Sequence, residues 1–411
     1  CLGAIAFSII LMFLTQVSGQ VSRLYVGLFA VIVYLFLVIE KYITALCIRK
    51  MPGLQIPVLV VGAGKTADAA IDEGKSNVFI NYRVAGFLED FEPSSRYADV
   101  YPILGGFNDL EKVIALAQRS RALNLPWLLD LHYSDFWADP GKQYTPRTWR
   151  GKSEAELAAM LHDYSAAVMQ RLREAGVPPQ MVQVGNELNN GMLWPLGQLH
   201  RQEEEEGFDR LAQLLKAAIA GIRAGSEGGI TPRLMLHLAE GGDEAQCLRW
   251  FKAMQARDVP FDLVGLSFYP YWHGSLGDLS RTMNSLATQI RLPLLVVETA
   301  YGHDTVNQDA VRNAFGEQEA VRGGFAATPE GQLAFLDALR AAIGAVPDRL
   351  GLGFVYWEPG WIRVTGDSWA SQAGMAFLGI DEPLGNGWEN QALFDREGRG
   401  LPALAAFAPT R

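Results

Sequence analysis

The chain has 411 residues and a formal net charge of -10. That balance excludes a nucleic-acid partner, because phosphate binding needs clustered Lys and Arg. Its three cysteines, Cys1, Cys47 and Cys247, are far apart with no CxxC spacing, which excludes a disulfide framework and a cysteine-held zinc.

The chain starts at Cys1, already apolar and without a Met, and reads as a fragment whose beginning is missing. Residues 2–15 form one apolar run, residues 16–23 a polar connector, and residues 24–39 a second run followed by Glu40-Lys41 and the apolar tail 42–48. About 20 apolar residues are needed to cross a bilayer. Residues 1–50 are therefore expected to form a transmembrane helical hairpin with a truncated first helix, and the bilayer is an expected partner. Lys41, Arg49 and Lys50 outnumber Arg23, so the positive-inside bias places everything after residue 50 in the cytoplasm.

Residues 55–110 read as a Rossmann-like βαβ segment. Pro57 to Val61 is a strand, Gly62-Ala63-Gly64-Lys65-Thr66-Ala67 turns into a helix, and YRVAGFL over 82–88 is a second strand. Residues 101–104 suggest a third. Small residues in GxGxxA let a backbone approach a phosphate at a helix N-terminus. A tight turn with nothing bound explains the same residues better, and Leu59 stands where a Walker A loop needs its first Gly.

From about residue 111 to 411, Ala-, Leu- and Glu-rich helical stretches alternate with short apolar strands. The expected strands are 127–131, 181–185, 234–238, 263–268, 294–297 and 353–357. Repeated βα units imply parallel strands, and a (β/α)8 barrel places its site at the C-terminal strand ends. Those ends are rich in chemistry. LLDLHYSDFWADPGKQ carries Asp130, His132, Asp135, Trp137 and Asp139, and VGNE carries Asn186 and Glu187. His237 and Glu240 end the next strand, Tyr269, Tyr271, Trp272 and His273 the one after, then Glu298, then Trp357 and Glu358. Any lone Glu after a strand is more simply a solvated acid. Two of them, Glu187 and Glu298, both directly after buried-type strands, suit glycoside hydrolysis, which needs two carboxyl groups across one bond. Tyr269 can orient and ionise one of them, an Asn before a Glu can bond a sugar hydroxyl, and Trp357 can floor a sugar ring.

HYSDFWADPGKQ, VQVGNELNNGMLWP, GLSFYPYWHG, VVETAYG, YWEPGW and GWENQALFD, in this order over about 300 residues, closely resemble glycoside hydrolase family 53, the endo-β-1,4-galactanases. The resemblance implies a clan A barrel and a retaining mechanism, with Glu187 as acid/base after the fourth barrel strand and Glu298 as nucleophile after the seventh. It implies that Asn186, His132, Tyr269 and Trp357 shape the cleavage subsite. Asp135, Trp137, Asp139, His237 and Trp272 would contact sugar. The implied substrate is β-1,4-galactan or arabinogalactan. No cofactor is required; bacterial members often hold calcium in a late loop, where Asp367 and Asp381 lie without a clear ligand pattern. The family also has two earlier barrel strands, the second leading to an active-site arginine. Residues 58–61 and 82–88 match those strands in number only, and Leu88, Glu89 and Asp90 stand where the arginine is wanted.

VLVVGAGKTA, YRVAGFLED and VYPILGGFNDLEKVI resemble the membrane and Rossmann-like front of bacterial polyprenyl-phosphate sugar-1-phosphate transferases. That family's transferase domain has no counterpart after residue 115, so the activity does not carry over. The chain reads as a chimera joined near residues 108–118, where both sides are helical. A catalytically inactive membrane protein or sugar-nucleotide-binding module is the alternative. The charge bias points to a cytoplasmic barrel, whereas galactanases act outside the cell.

Overall fold

The computed structural model of the chain describes residues 23–49, 56–61, 65–76, 82–88, 110–200, 204–364, 368, 375 and 382–408. The chain divides into two compact units, Cys1–Gly106 and Phe107–Arg411.

In the first unit, helix α1 (Arg23–Arg49) runs unbroken for 27 residues through the second apolar run. Ile32, Leu35, Phe36, Val38 and Ile39 on it are all exposed. Among the described residues no helix is long and apolar enough to cross a membrane. The expected two-helix span is therefore not found in them, and its first run, residues 2–15, lies outside them. Strand β1 (Ile56–Val61), helix α2 (Lys65–Ser76) and strand β2 (Tyr82–Leu88) follow. The two strands pair in parallel, Ile56 opposite Tyr82, in a two-stranded sheet of their own. The GxG turn and the suggested strand at 101–104 lie outside the described residues.

The second unit opens with α3 (Leu110–Ala122), a single helix over the stretch where the two sequence resemblances meet. Six strands of one sheet follow, apart from a short antiparallel pair at Gly191–Met192 and Gly197–Gln198: β3 (Leu128–Leu131), β4 (Met181–Val184), β5 (Arg233–Leu238), β6 (Leu263–Ser267), β7 (Leu294–Thr299) and β8 (Gly351–Tyr356). All adjacent pairs are parallel, and sheet order equals chain order. Parallel neighbours need long crossovers, and helices α4 (Glu154–Glu174), α5 (Glu204–Ser226), α6 (Glu244–Ala256), α7 (Leu276–Gln289), α8 (Glu317–Gly323) and α9 (Pro329–Gly344) supply them. Among the described residues this is a six-stranded parallel α/β half-barrel with β3 and β8 as its edges, and the closed eight-stranded barrel expected from the sequence is not found in them.

Local chemistry explains the punctuation. Ser153 and Glu156 form a capping box at α4, and Ser275 and Asp278 another at α7; each satisfies helix N–H groups that have no partner within the helix. Thr328 caps α9, with Pro329 in its first turn. Gly221 and Gly225 let α5 press on the α4 backbone, where a Cβ would collide with the carbonyls of His162 and Ala166. The central strand β6 is buried at every residue, whereas β8 is exposed or half-buried except at its last residue, Tyr356. Fully burying a Val or Leu side chain contributes about 1.5–3 kcal/mol, so the core gains most at the middle of the sheet.

Candidate active site

The C-terminal ends of the strands enclose a cavity of about 370 Å³. Its lining includes Glu187, Glu298, Asn186, His132, Tyr269, Asp139, Trp137, Trp272 and Trp357. Several strands leave the sheet through the same unusual backbone. Tyr133 after β3, Glu187 after β4, Glu240 after β5 and Glu358 after β8 all have positive φ, between 50 and 61° except Glu187 at 48°. Non-glycine residues rarely adopt this conformation, and it concentrates at functional sites. Gly185, at φ 85°, starts the turn before Glu187, and a Cβ there would meet the Leu188 side chain at 2.7 Å.

Glu187 is 8% exposed. Its Oε1 lies 2.6 Å from Ser267 Oγ at the end of β6. Ser267 Oγ is in turn 2.8 Å from His237 Nε2, and His237 Nδ1 is 2.9 Å from Asn186 Oδ1. Asn186 Nδ2 donates to the Ala138 carbonyl at 2.7 Å. Gln143 Nε2 donates to the carbonyls of Asn186 and Glu187, holding the turn from outside. On the β3 side, the Ala138 amide donates to His132 Nδ1 at 2.9 Å, which leaves His132 Nε2 to donate to Asp130 at 3.0 Å. Residue 138 is thus pinned at both its N–H and its C=O, and its neighbours Trp137 and Asp139 are positioned by it.

Glu298, on β7, accepts from Tyr269 Oη at 3.1 Å. One carboxyl oxygen of Glu187, one of Glu298 and a His237 nitrogen all lie within 4.8 Å of one another. That triangle resembles a metal site by residue type. Both His237 nitrogens already face protein partners, however, so the ring has no lone pair directed at an ion.

Burial, then the charges of Asp139 and Asp130, push the Glu187 carboxyl up to about 7, against the His132 charge. Burial and the Glu187 charge raise Glu298 as well, while the Tyr269 hydroxyl acts to lower it. Two carboxyls this close titrate as a pair, because a charge on one opposes ionisation of the other. His132 is lowered by burial, but the hydrogen bond and charge of Asp130 raise it overall. Burial lowers His273 to about 4 and His237 to about 3, so both rings are neutral.

Two expected sugar contacts do not face the cavity. His237 is 0% exposed and sits behind Glu187. Asp135 accepts from the Arg147 backbone N–H at 2.7 Å and braces a loop. Asp367 and Asp381 lie outside the described residues. Other lining residues had no role assigned from sequence: Trp361, Trp388, His273, Glu240 and Lys142. Trp361 and Trp388 stand inside the motifs YWEPGW and GWENQALFD, and that placement was the available signal. Trp137 meets Trp357 and Trp361 edge-on at 6.1 and 6.4 Å, and Trp272 lies 5.9 Å from Trp388. The tryptophans make a half-exposed apolar lip, with Trp137 42% and Trp272 50% exposed. Among the described residues lining the cavity there is no arginine, and Lys142, bound to Asp139 at 3.0 Å, is the cation.

A site of this form has relatives. A profile described as glycosyl hydrolase family 53 matches residues 92–407, and one described as a CoA-binding domain matches residues 1–123. A Niallia circulans protein from the bgaB 5′ region is 37% identical over 306 residues, 74% of this chain and 80% of that one. An arabinogalactan endo-β-1,4-galactanase of Cellvibrio japonicus is 33% identical over 314 residues, 73% of this chain and 76% of the relative. The solved catalytic domain of an Ignisphaera aggregans GH53 protein superposes with a TM-score of 0.65 at 33% identity, covering 79% of this chain and 84% of that one.

Proposed function

The chain belongs to glycosyl hydrolase family 53, and on that footing we propose that it is a retaining endo-β-1,4-galactanase acting on galactan or arabinogalactan. The observation that carries the reading is the pair of carboxyls, buried Glu187 and half-buried Glu298, with oxygens within 4.8 Å. Retaining enzymes hold their two carboxyl groups about 5–5.5 Å apart, and inverting enzymes hold them wider to admit a water. Glu298, oriented by Tyr269, attacks the anomeric carbon. The glycosidic C–O bond breaks, and the leaving oxygen takes the proton of Glu187. Water then attacks the glycosyl-enzyme while Glu187 removes its proton, and the product keeps its configuration. Asn186 and the tryptophan lip supply polar and stacking contacts to the sugar chain. None of these steps requires a cofactor, and a calcium ion in the late loop would act on structure.

The test is release of short galacto-oligosaccharides from galactan by the purified full chain, lost in Glu298→Ala. Equal product from wild type and variant would overturn the reading.

A second reading concerns residues 1–110. The CoA-binding match and the parallel β1–β2 pair favour a nucleotide-type ligand for this segment, which fits the transferase-like resemblance and a sugar-nucleotide module. Titration of the full chain with coenzyme A and a UDP-sugar tests it; no binding of either removes it. The exposed apolar side chains of α1 support a membrane tether for the same segment. Flotation with lipid vesicles, lost on deleting residues 1–50, is its check.

A further inference from the structure

The bonds behind Glu187 have a readable direction. The Ala138 carbonyl can only accept, so the Asn186 atom 2.7 Å from it is the amide nitrogen. That turns Asn186 Oδ1 toward His237 Nδ1 at 2.9 Å and toward Gln183 Nε2 at 3.0 Å. An amide oxygen also only accepts, so His237 carries its hydrogen on Nδ1. The ring is fully buried and neutral, so Nε2 is a bare lone pair. The group facing it is the Ser267 hydroxyl at 2.8 Å. A hydroxyl has one hydrogen, and here it is spent on His237. In the remaining 2.6 Å contact, Ser267 Oγ must therefore accept and Glu187 Oε1 must donate.

We infer that Ser267 and His237 are positioning residues for the reaction: with Asn186 they form a one-way hydrogen-bond chain that keeps a proton on Glu187 and leaves Glu298 ionised. This rests on the proposed roles of the two glutamates. It gives an otherwise unassigned buried histidine a task that a sugar contact could not, since no sugar reaches it. The other charged or titratable groups facing the pair are consistent with it. From β3 and its loop, Asp130 and Asp139 oppose a charge on Glu187, and His132 favours one. Tyr269, from the end of β6, donates to Glu298 and so favours a charge there instead. When Glu187 gives its proton to the leaving oxygen, the Ser267 hydroxyl can rotate and donate to the new carboxylate. His237 Nε2 is then left without a donor, so the chain favours return of the proton before the next turnover.

The sign of one shift decides the matter. A hydrogen bond donated by the neutral acid stabilises the neutral acid; one accepted by the carboxylate stabilises the ion. The protonated-carboxyl infrared band of Glu187, assigned by its loss in Glu187→Gln, is titrated in wild type and in Ser267→Ala without substrate. The expected result is a midpoint lower by about 0.5–1 pH unit in Ser267→Ala. The alkaline limb of kcat should move with it, and KM should change little. A midpoint that rises or stays put overturns the inference. Nitrogen-15 NMR of histidine-labelled wild-type protein is independent of how Ser267→Ala folds. It should show His237 protonated on Nδ1 and bare on Nε2; a hydrogen on Nε2 overturns the chain. Both readouts work without turnover, so absence of galactan cleavage would count against the glycosidase reading alone.

Discussion

The cavity has a wall and a lip, and they are built by opposite means. The wall comes from the middle of the sheet: Asn186, Glu187, His237 and Ser267 are buried and linked by short polar contacts, and the buried Tyr269 donates to Glu298 beside them. The lip comes from loops after β3, β6 and β8, where Trp137 meets Trp357 and Trp361 edge-on and Trp272 lies against Tyr269, Tyr271 and Trp388. A wall fixed by hydrogen bonds can hold reacting atoms to fractions of an ångström, whereas a flat aromatic lip tolerates sliding of a repetitive chain. The wall should therefore act in the transition state and the lip in binding.

Substitutions should separate these roles. The largest effect is expected for Glu298→Ala, with activity falling to background because no nucleophile remains. Glu187→Gln should follow, with kcat lower by about 10²–10⁴-fold, the usual range for loss of a general acid–base. Tyr269→Phe removes a hydrogen bond to a charged group, worth about 1.5–3 kcal/mol, so kcat should drop by roughly 10- to 100-fold with KM nearly constant. Trp137→Ala should do the reverse, raising KM severalfold with kcat almost intact. A large kcat loss in Trp137→Ala would erase the division between wall and lip.

Stability against pH gives the smallest and finest test. The folded-state carboxyl of Glu187 lies near 7, above the ordinary carboxylate range. Its contribution is therefore fully present below about 4.3 and lost as pH rises through 7. Glu187→Gln cannot ionise, so its Tm relative to wild type should be higher at pH 8 than at pH 5, by a few degrees. An equal difference at both values would mean that Glu187 titrates normally.

Much of the wall's chemistry was legible in the sequence because buried strands read as apolar runs, and a carboxylate directly after one is conspicuous. The strands at 181–185 and 263–268 were found within a residue for that reason. Ser267 was not found, because a small hydroxyl between Leu266 and Phe268 reads as filler until His237 and Glu187 are brought to either side of it. His237 was read as a sugar contact because it ends a strand as the others do; only folding shows that its ring turns into the sheet interior. The left-handed residues Tyr133, Glu187, Glu240 and Glu358 are not glycines, so their own residue types do not mark them. For α1 the helix was legible from hydrophobic run length, while its membrane role depends on surroundings that a run of apolar residues does not specify.

Product stereochemistry tests the central claim most directly. Proton NMR of a galactan digest by the wild-type chain, recorded before mutarotation, should show the β-anomer as the first new reducing end, and no new reducing end with Glu298→Ala. First appearance of the α-anomer would contradict a retaining Glu187–Glu298 pair.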